Sequence, residues 1–290
     1  MRVAVAGADS VVGRCAVPGL EAAGHDVVRL GRGPRALLDV EATREAMTGC
    51  DALVNLSAQI PVGSWARWPR AWRTHDLLRS EGARRLVTAA RAAGVRRVVQ
   101  QSVSFVYADQ GDAWVTEQSP VGVTPATEPA SVGELAVQDF SSACRFGVVL
   151  RMGLVLGDSI LSAWSLRAAA HGRPFGLGSP DGFMHVIHSD DVGAAVAAAL
   201  DVPSGVYNVG SEPVRRADLV AGYAKAAGRD DGAFQGPLMS RLAGHRLEPL
   251  ARSLRVSSDR FGRATGWSPA RESFDPAWVE TTRDTVAAPR

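Results

Sequence analysis

Residues 2–14 read Arg2-Val-Ala-Val-Ala-Gly-Ala-Asp-Ser-Val-Val-Gly-Arg14, and their order decides the fold. A short apolar run ends at Gly7, and helical periodicity then runs from Val11 to Ala23 before Gly24. A strand that turns tightly into a helix needs small residues where the backbone must approach a pyrophosphate. The helix N-terminus adds free N–H groups and partial positive charge. Gly7 and Gly13 fill two of the small positions, and Ser10 stands where a third glycine is expected. Gly7, Ser10, Val11, Val12 and Gly13 are therefore the first candidate site, for a nucleotide. A plain tight turn closing helix onto strand is the competing reading.

The same alternation continues outward from this turn. Residues 25–30 read as a second strand stopped by the turn at 31–34, residues 43–47 as a short helix, and residues 52–56 as a third, buried strand. A long amphipathic helix at 72–93, closed by Gly94, precedes a strand at 97–102, a helix at 133–144 and a strand at 148–151. Strands and helices at this spacing predict an α/β chain with a doubly wound parallel Rossmann sheet and right-handed crossovers. After Arg151 the rhythm breaks into Gly- and Pro-rich stretches at 153–159 and 172–182. A helix at 190–200 and a strand at 206–209 follow. The expectation is a nucleotide-binding domain over 1–155 and a smaller C-terminal α+β substrate lobe over 156–290, with residues 184–210 returning to the core. The Pro-, Thr- and Ser-rich loop 119–131 is a candidate lid or pocket rim.

An NAD-preferring site places Asp or Glu at the end of the second strand, to hold the ribose 2′-hydroxyl. Here that end carries Arg32, with Arg29 and Arg35 nearby. A guanidinium suits a 2′-phosphate through paired, charge-assisted hydrogen bonds. NADP(H) is thus expected over NAD(H), with Asp39 receiving the adenine amino group.

Composition narrows the classes. Apolar residues make up 46% and charged residues 21%, and the formal net charge is +2. That is ordinary for a folded globular protein and gives no field for nucleic acid or a membrane surface. Cys15, Cys50 and Cys144 are scattered without a CxxC pair, which argues against a zinc or disulfide framework and fits a reducing compartment. No charged-then-apolar leader follows Met1, and no segment has the apolar length of a membrane helix. A cytoplasmic protein with a small-molecule substrate is expected. The chain has a single lysine, Lys225.

The turn, the segment from Asp51 to Ala58, Leu86 to Val99, Gln101 to Tyr107, Val148 to Gly157, His188 to Val192, Val206 to Gly210 and the closing Gly266-Trp-Ser-Pro together resemble the extended and atypical short-chain dehydrogenase/reductases, the NAD-dependent epimerase/dehydratase group. The resemblance covers nearly the whole chain. It implies that Leu56, Ser57 and Ala58 border the cofactor, that Ser102 and Met152 border the substrate, and that a homodimer forms. It also implies a proton relay of Tyr and Lys, four residues apart, with a Ser or Thr and an Asn. Those positions fall here on Ala130, Glu134, Val103 and, near the Asn, Arg79. None matches. Nor does any other register supply the pair, because Tyr107, Tyr207 and Tyr223 all lack Lys four residues later. A carboxylate cannot imitate the lysine, since negative charge disfavours a tyrosinate.

Any acid–base chemistry must then come from other side chains of the cleft. The candidates are Ser104, Tyr107, Asp109 and Glu134, with a structural tyrosine and a helix-start carboxylate as the plain readings of Tyr107 and Glu134. Trp65, Trp68 and Trp72 have near-helical spacing, a pattern usual for core. Because the segment after the third strand borders the cleft in the resembling family, Trp65 and Trp68 are candidate contacts to an apolar or aromatic substrate. His185 and His188 have metal-like spacing but no partner at ligand spacing, so no metal is expected. His188 with Asp190 and Asp191 reads instead as a helix cap. No GxSxG turn occurs. Three functions remain: an NADP(H)-dependent oxidoreductase or epimerase without the usual relay; a redox-neutral cyclase, lyase, isomerase or dehydratase; and a non-enzymatic NADP-sensing protein.

Overall fold

The computed structural model describes residues 1–31, 33–62, 65–66, 68–236 and 246–280. Its first half alternates β1 (Arg2–Ala6), α1 (Val11–Ala22), β2 (Asp26–Arg29), α2 (Gly33–Leu38), α3 (Val40–Ala46) and β3 (Ala52–Asn55). Then come α4 (Arg73–Leu77), α5 (Ala83–Ala92), β4 (Arg97–Val103), β5 (Trp114–Val115), α6 (Glu128–Phe140) and β6 (Phe146–Met152). The second half holds β7 (Leu154–Leu156), α7 (Ile160–Ala170), β8 (Phe183–Met184), β9 (Val186–His188), α8 (Ser189–Ala198), β10 (Gly205–Val209), β11 (Val214–Arg215) and α9 (Arg216–Ala226). It closes with α10 (Glu248–Ala251), β12 (Arg255–Val256), α11 (Asp259–Thr265) and α12 (Ala277–Glu280). Among the described residues no helix is long and apolar enough to cross a membrane.

A parallel six-stranded sheet runs β10-β6-β4-β3-β1-β2. Strands β1 and β3 are buried on both faces and read as continuous apolar runs, while β2 at the edge is only half buried. Val3 and Val5 pack with α1 and α8 on one face, while Ala4 and Leu53 pack with Leu86, Val137 and Phe140 on the other. This is the doubly wound arrangement. Strand β10 joins it although far along the chain. The preceding helix α8 lies so close to α1 that a Cβ on Gly19 would come within 2.4 Å of the Gly193 backbone. A third cluster, including Leu166, Tyr223, Val256 and Trp278, fills the remaining half.

Four local expectations need correction. Pro34 does not mark a turn but lies in the first helical turn of α2, where its missing N–H costs nothing. Pro129 likewise sits in the first turn of α6, so that helix starts at Glu128 rather than 133 and ends at Phe140. The long helix at 72–93 is interrupted by a π-helical turn, Leu78–Gly82, which carries Leu78 and Arg79 into the interior. Residues 119–127 do not line the cleft described below.

Candidate active site

The strand order reverses between β1 and β3, the place where open α/β sheets bind ligands above their carboxyl ends. A cleft of about 430 Å³ opens there. Its floor is Gly7, Ala8, Asp9 and Ser10; its walls are Ser57, Ala58 and Gln59 after β3, and Arg29 to Gly31 with Pro34 after β2.

The turn is built for close backbone approach. Gly7 has φ +76°, and a Cβ there would meet the Ser57 backbone at 2.5 Å. A Cβ on Gly13 would lie 2.1 Å from the Gly7 carbonyl oxygen. Ser10 caps α1: its Oγ accepts from the Gly13 N–H at 3.0 Å and donates to the Leu56 carbonyl at 2.8 Å. The hydroxyl thus ties the turn to the end of β3, a bond that glycine cannot make. Val11 and Val12 begin α1 directly behind this cap, and Val12 is buried against the core. On the opposite wall the Asn55 amide donates to Gln100 Oε1, while its own oxygen accepts from both the N–H and the Oγ of Ser57. A rigid, small-residue cradle with a helix N-terminus behind it fits a dinucleotide's phosphates.

Ser57 and Ala58 line the cleft, whereas Leu56 is fully buried beneath it. Asp39 does not line it; its Oδ1 caps α3 by accepting from the Ala42 N–H at 3.0 Å. Arg32 lies outside the described residues. Arg29 and Leu78 line the wall instead. No carboxylate stands on the β2 side among the described lining residues.

The catalytic candidates do not converge on one open site. Glu134 is buried and paired with Arg151 of β6 through two bonds, Nε to Oε1 at 3.0 Å and an Nη to Oε2 at 2.7 Å. Ser102 donates to the same carboxylate at 2.5 Å. Burial alone would lower the Arg151 pKa, but the bonds and charge of Glu134 outweigh it and hold the guanidinium above its ordinary value. Arg151 also lies 4.7 Å from the centre of the Tyr107 ring. The Tyr107 hydroxyl donates to Asn208 Oδ1 at 2.7 Å, and burial pushes its pKa up. Tyr107 and Glu134 are thus both bonded internally. Asp109, on the surface, accepts from the Gly111 and Ser253 N–H groups and so shapes a turn. Ser104 is fully buried, and its Oγ has no hydrogen-bond partner among the described residues.

Two substrate candidates are also relocated. Ser102 and Met152 are each 1% exposed, Ser102 bonded to Glu134 and Met152 packed in the core behind β6. Both sit on strands covered by helices, so neither presents a surface to a ligand. Trp65 and Trp68, read as core or substrate contact, are half exposed at 51% and 53%. The Arg70 guanidinium lies 5.5 Å from each indole centre.

Sequence reasoning missed the role of Arg79. The π turn buries it, and it donates to the carbonyl and the side-chain oxygen of Gln101. Burial pulls its pKa down to about 10, partly offset by the charge of Glu134. Arg79, Arg151 and Glu134 therefore make a buried cluster with one net positive charge. Residues 72–93 hold five arginines, so nothing in that stretch set Arg79 apart. The single lysine, Lys225, is exposed on α9. His188 does cap α8, accepting from the Asp190 N–H at 3.2 Å.

Comparison with known proteins agrees with this architecture. The chain is 34% identical over 300 residues to the 3-diazoavenalumate denitrifying reductase of a Streptomyces species, covering 94% of this chain and 98% of that protein. It is also 34% identical over 218 residues to the 2′-dehydrokanamycin reductase of Streptomyces kanamyceticus, covering 69% of this chain and 58% of that protein. Among solved structures, a human epimerase family protein with NADPH superposes with a TM-score of 0.82 at 23% identity, over 98% of this chain and all of the other. The profile of the NAD dependent epimerase/dehydratase family matches residues 3–210, and the chain belongs to that family.

Proposed function

We propose that this protein is an NADPH-dependent reductase that delivers hydride to a small aromatic diazo compound, an acceptor that needs no proton donor from the enzyme. The observation that carries the reading is the state of the relay region. Ala130 and Glu134 stand where the family resemblance puts Tyr and Lys, and Glu134 is locked by Arg151 and Ser102. Reduction of a carbonyl requires a proton on oxygen as hydride reaches carbon. A nicotinamide bound at this site would supply a hydride; an aryl diazonium would take it on the terminal nitrogen, and the resulting aryl diazene would lose N₂ to leave the arene. Atoms and charge balance with no added proton. The name of the relative matched nearly end to end, a denitrifying reductase of a diazo compound, is the second support.

The residues divide the work. Gly7 to Gly13 cradle the pyrophosphate, Ser57 and Ala58 flank the cofactor, and Arg29 with Arg32 answers the 2′-phosphate. Residues 1–155 supply these groups, and the rest of the chain encloses the substrate. Trp65 and Trp68, half exposed, would offer indole surface to an aromatic substrate. The test is consumption of NADPH with para-carboxybenzenediazonium as probe, with N₂ measured alongside. Equal amounts of NADPH oxidised and N₂ released are expected. Turnover of aldehydes or ketones with no turnover of the diazonium overturns the proposal. Product formation without NADPH would favour the redox-neutral reading.

A further inference from the structure

Gln59 and Leu78 both line the nucleotide cleft, and the chain between them leaves its wall and returns. Residues 65–73 of that stretch read Trp-Ala-Arg-Trp-Pro-Arg-Ala-Trp-Arg, with three of the protein's seven tryptophans alternating with arginines. No acidic residue stands between Asp51 and Asp76. Trp72 is six helical residues before Leu78, roughly 9 Å along the axis, so the stretch runs beside the mouth of the cleft.

Its own bonds hold the segment in shape. The Trp68 N–H donates to the Trp65 carbonyl and the Ala71 N–H to the Trp68 carbonyl, both at 3.0 Å. The indole N–H of Trp72 donates to the Ala66 carbonyl at 2.8 Å. From the C-terminal half, Arg246 donates to both oxygens of Asp76, at 3.1 and 2.6 Å, and lies 5.7 Å from the Trp72 ring centre. The segment is thus braced between the two halves of the chain, and Asp76 already has its cation.

Arg70 has no such partner. It is exposed, and among the described residues no hydrogen bond or ion pair engages its guanidinium, which lies over the Trp65 and Trp68 rings at 5.5 Å from each centre. A guanidinium stacked in this way gives up a flat face but keeps its N–H edge. That edge matches a planar carboxylate through two parallel, charge-assisted bonds. The indoles also restrict the side chain beforehand, so less freedom is lost when a ligand binds. With Arg70 in place, Trp65 and Trp68 still keep about half of their surface open, enough to meet an arene joined to that carboxylate.

We infer that Arg70 is a specificity-determining residue that selects aromatic acids at the mouth of the cleft. The carboxylate pairs with the guanidinium, and the ring lies along the open indole surface. The identity of the reacting group rests on the reductase reading; the recognition of the acid does not.

The test uses the full chain saturated with NADP⁺, so that no reduction intervenes, with para-hydroxybenzoate as probe and para-hydroxybenzamide as its uncharged control, read by isothermal titration. Saturable binding of the acid is expected, with the amide at least about tenfold weaker. Arg70→Gln should lower acid affinity about tenfold and leave the amide unmoved, while Arg70→Lys, which keeps charge but not the fork, should cost about threefold. Arg73→Gln is the control for diffuse charge: Arg73 is exposed on the same segment but lies over no ring among the described residues, and its loss should leave acid affinity as it was. Unchanged NADP⁺ affinity reports that each variant folds. Absence of saturable binding, equal binding of the amide, or an Arg70→Gln effect no larger than that of Arg73→Gln overturns the inference. Acid binding through Arg70 without reduction of any diazonium would remove the reductase reading and leave this one standing. Reduction of para-carboxybenzenediazonium with a KM unmoved by Arg70→Gln would do the reverse.

Discussion

Replacing Glu134 separates a structural role from a chemical one. The Glu134–Arg151 pair has side-chain exposures of 5% and 9%, so truncation to alanine leaves a guanidinium buried without a counter-charge. Breaking one side of such a pair costs about 3–5 kcal/mol. Ser102 also loses its acceptor, worth about 1 kcal/mol more. A total of about 5 kcal/mol lowers the melting temperature of a chain this size by roughly 10 °C. Glu134→Lys, which writes in the family's lysine, should be worse than alanine, because it sets a third cation between Arg79 and Arg151. The double change Glu134→Leu with Arg151→Met should recover most of the loss, since a buried pair replaced on both sides is close to neutral. Urea unfolding of the four proteins, with NADPH turnover measured on each that folds, makes the comparison. If Glu134→Ala unfolds at the same urea concentration as the parent yet loses nearly all turnover, Glu134 is an acid or base and the structural account is wrong.

Other outcomes follow from single sites. Gly13→Ala drives a Cβ into the Gly7 carbonyl, so saturable NADPH binding should vanish in a fluorescence titration; a parental affinity would remove the turn as the cradle. Arg29→Ser should narrow the preference for NADPH over NADH about tenfold, and an unchanged ratio of the two Kd values would take Arg29 out of the 2′-phosphate site. His75 and His185 are both pushed down to about 3, chiefly by burial, with the charges of Arg79 and Arg246 adding to the effect at His75. Both stay neutral in the folded chain while the unfolded chain takes up protons below about pH 6.5, so stability is full above that pH and falls on acidification towards pH 3. Well inside that window each contributes a slope of about 1.4 kcal/mol per pH unit. His185→Gln should remove one such slope from urea titrations between pH 6 and pH 4, and an unaltered slope would show that His185 titrates normally. Trp65→Ala with Trp68→Ala should raise KM for an aryl diazonium with little change in kcat, and an unchanged KM would place the substrate elsewhere.

Most of the sheet was legible because inner strands such as β1 and β3 are buried on both faces and appear as unbroken apolar runs between Gly-ended helices. The errors arose where one residue type has two meanings. Pro34 and Pro129 look like breakers in sequence but begin helices, and only the chain's later course distinguishes the two. The π turn at Leu78–Gly82 preserves overall helical periodicity while shifting its phase, which hid the burial of Arg79. The nucleotide turn was readable because its glycines meet a local steric demand. Ser102, Glu134 and Arg151 were not, since their pairing joins β4, α6 and β6 across long sequence separations. Ser10 carried the reverse lesson: it departs from the glycine pattern, and its hydroxyl binds the turn to Leu56.

The central claim is hydride delivery without a proton relay, and its most direct test is a single-turnover measurement of NADPH oxidation by an aryl diazonium in H₂O and in D₂O. The account predicts equal rates in the two solvents, with slowing only when the transferred hydrogen of NADPH is itself deuterium. A transfer step clearly slower in D₂O, with its rate following the ionisation of an enzyme group, would mean that a proton moves with the hydride and would contradict the account.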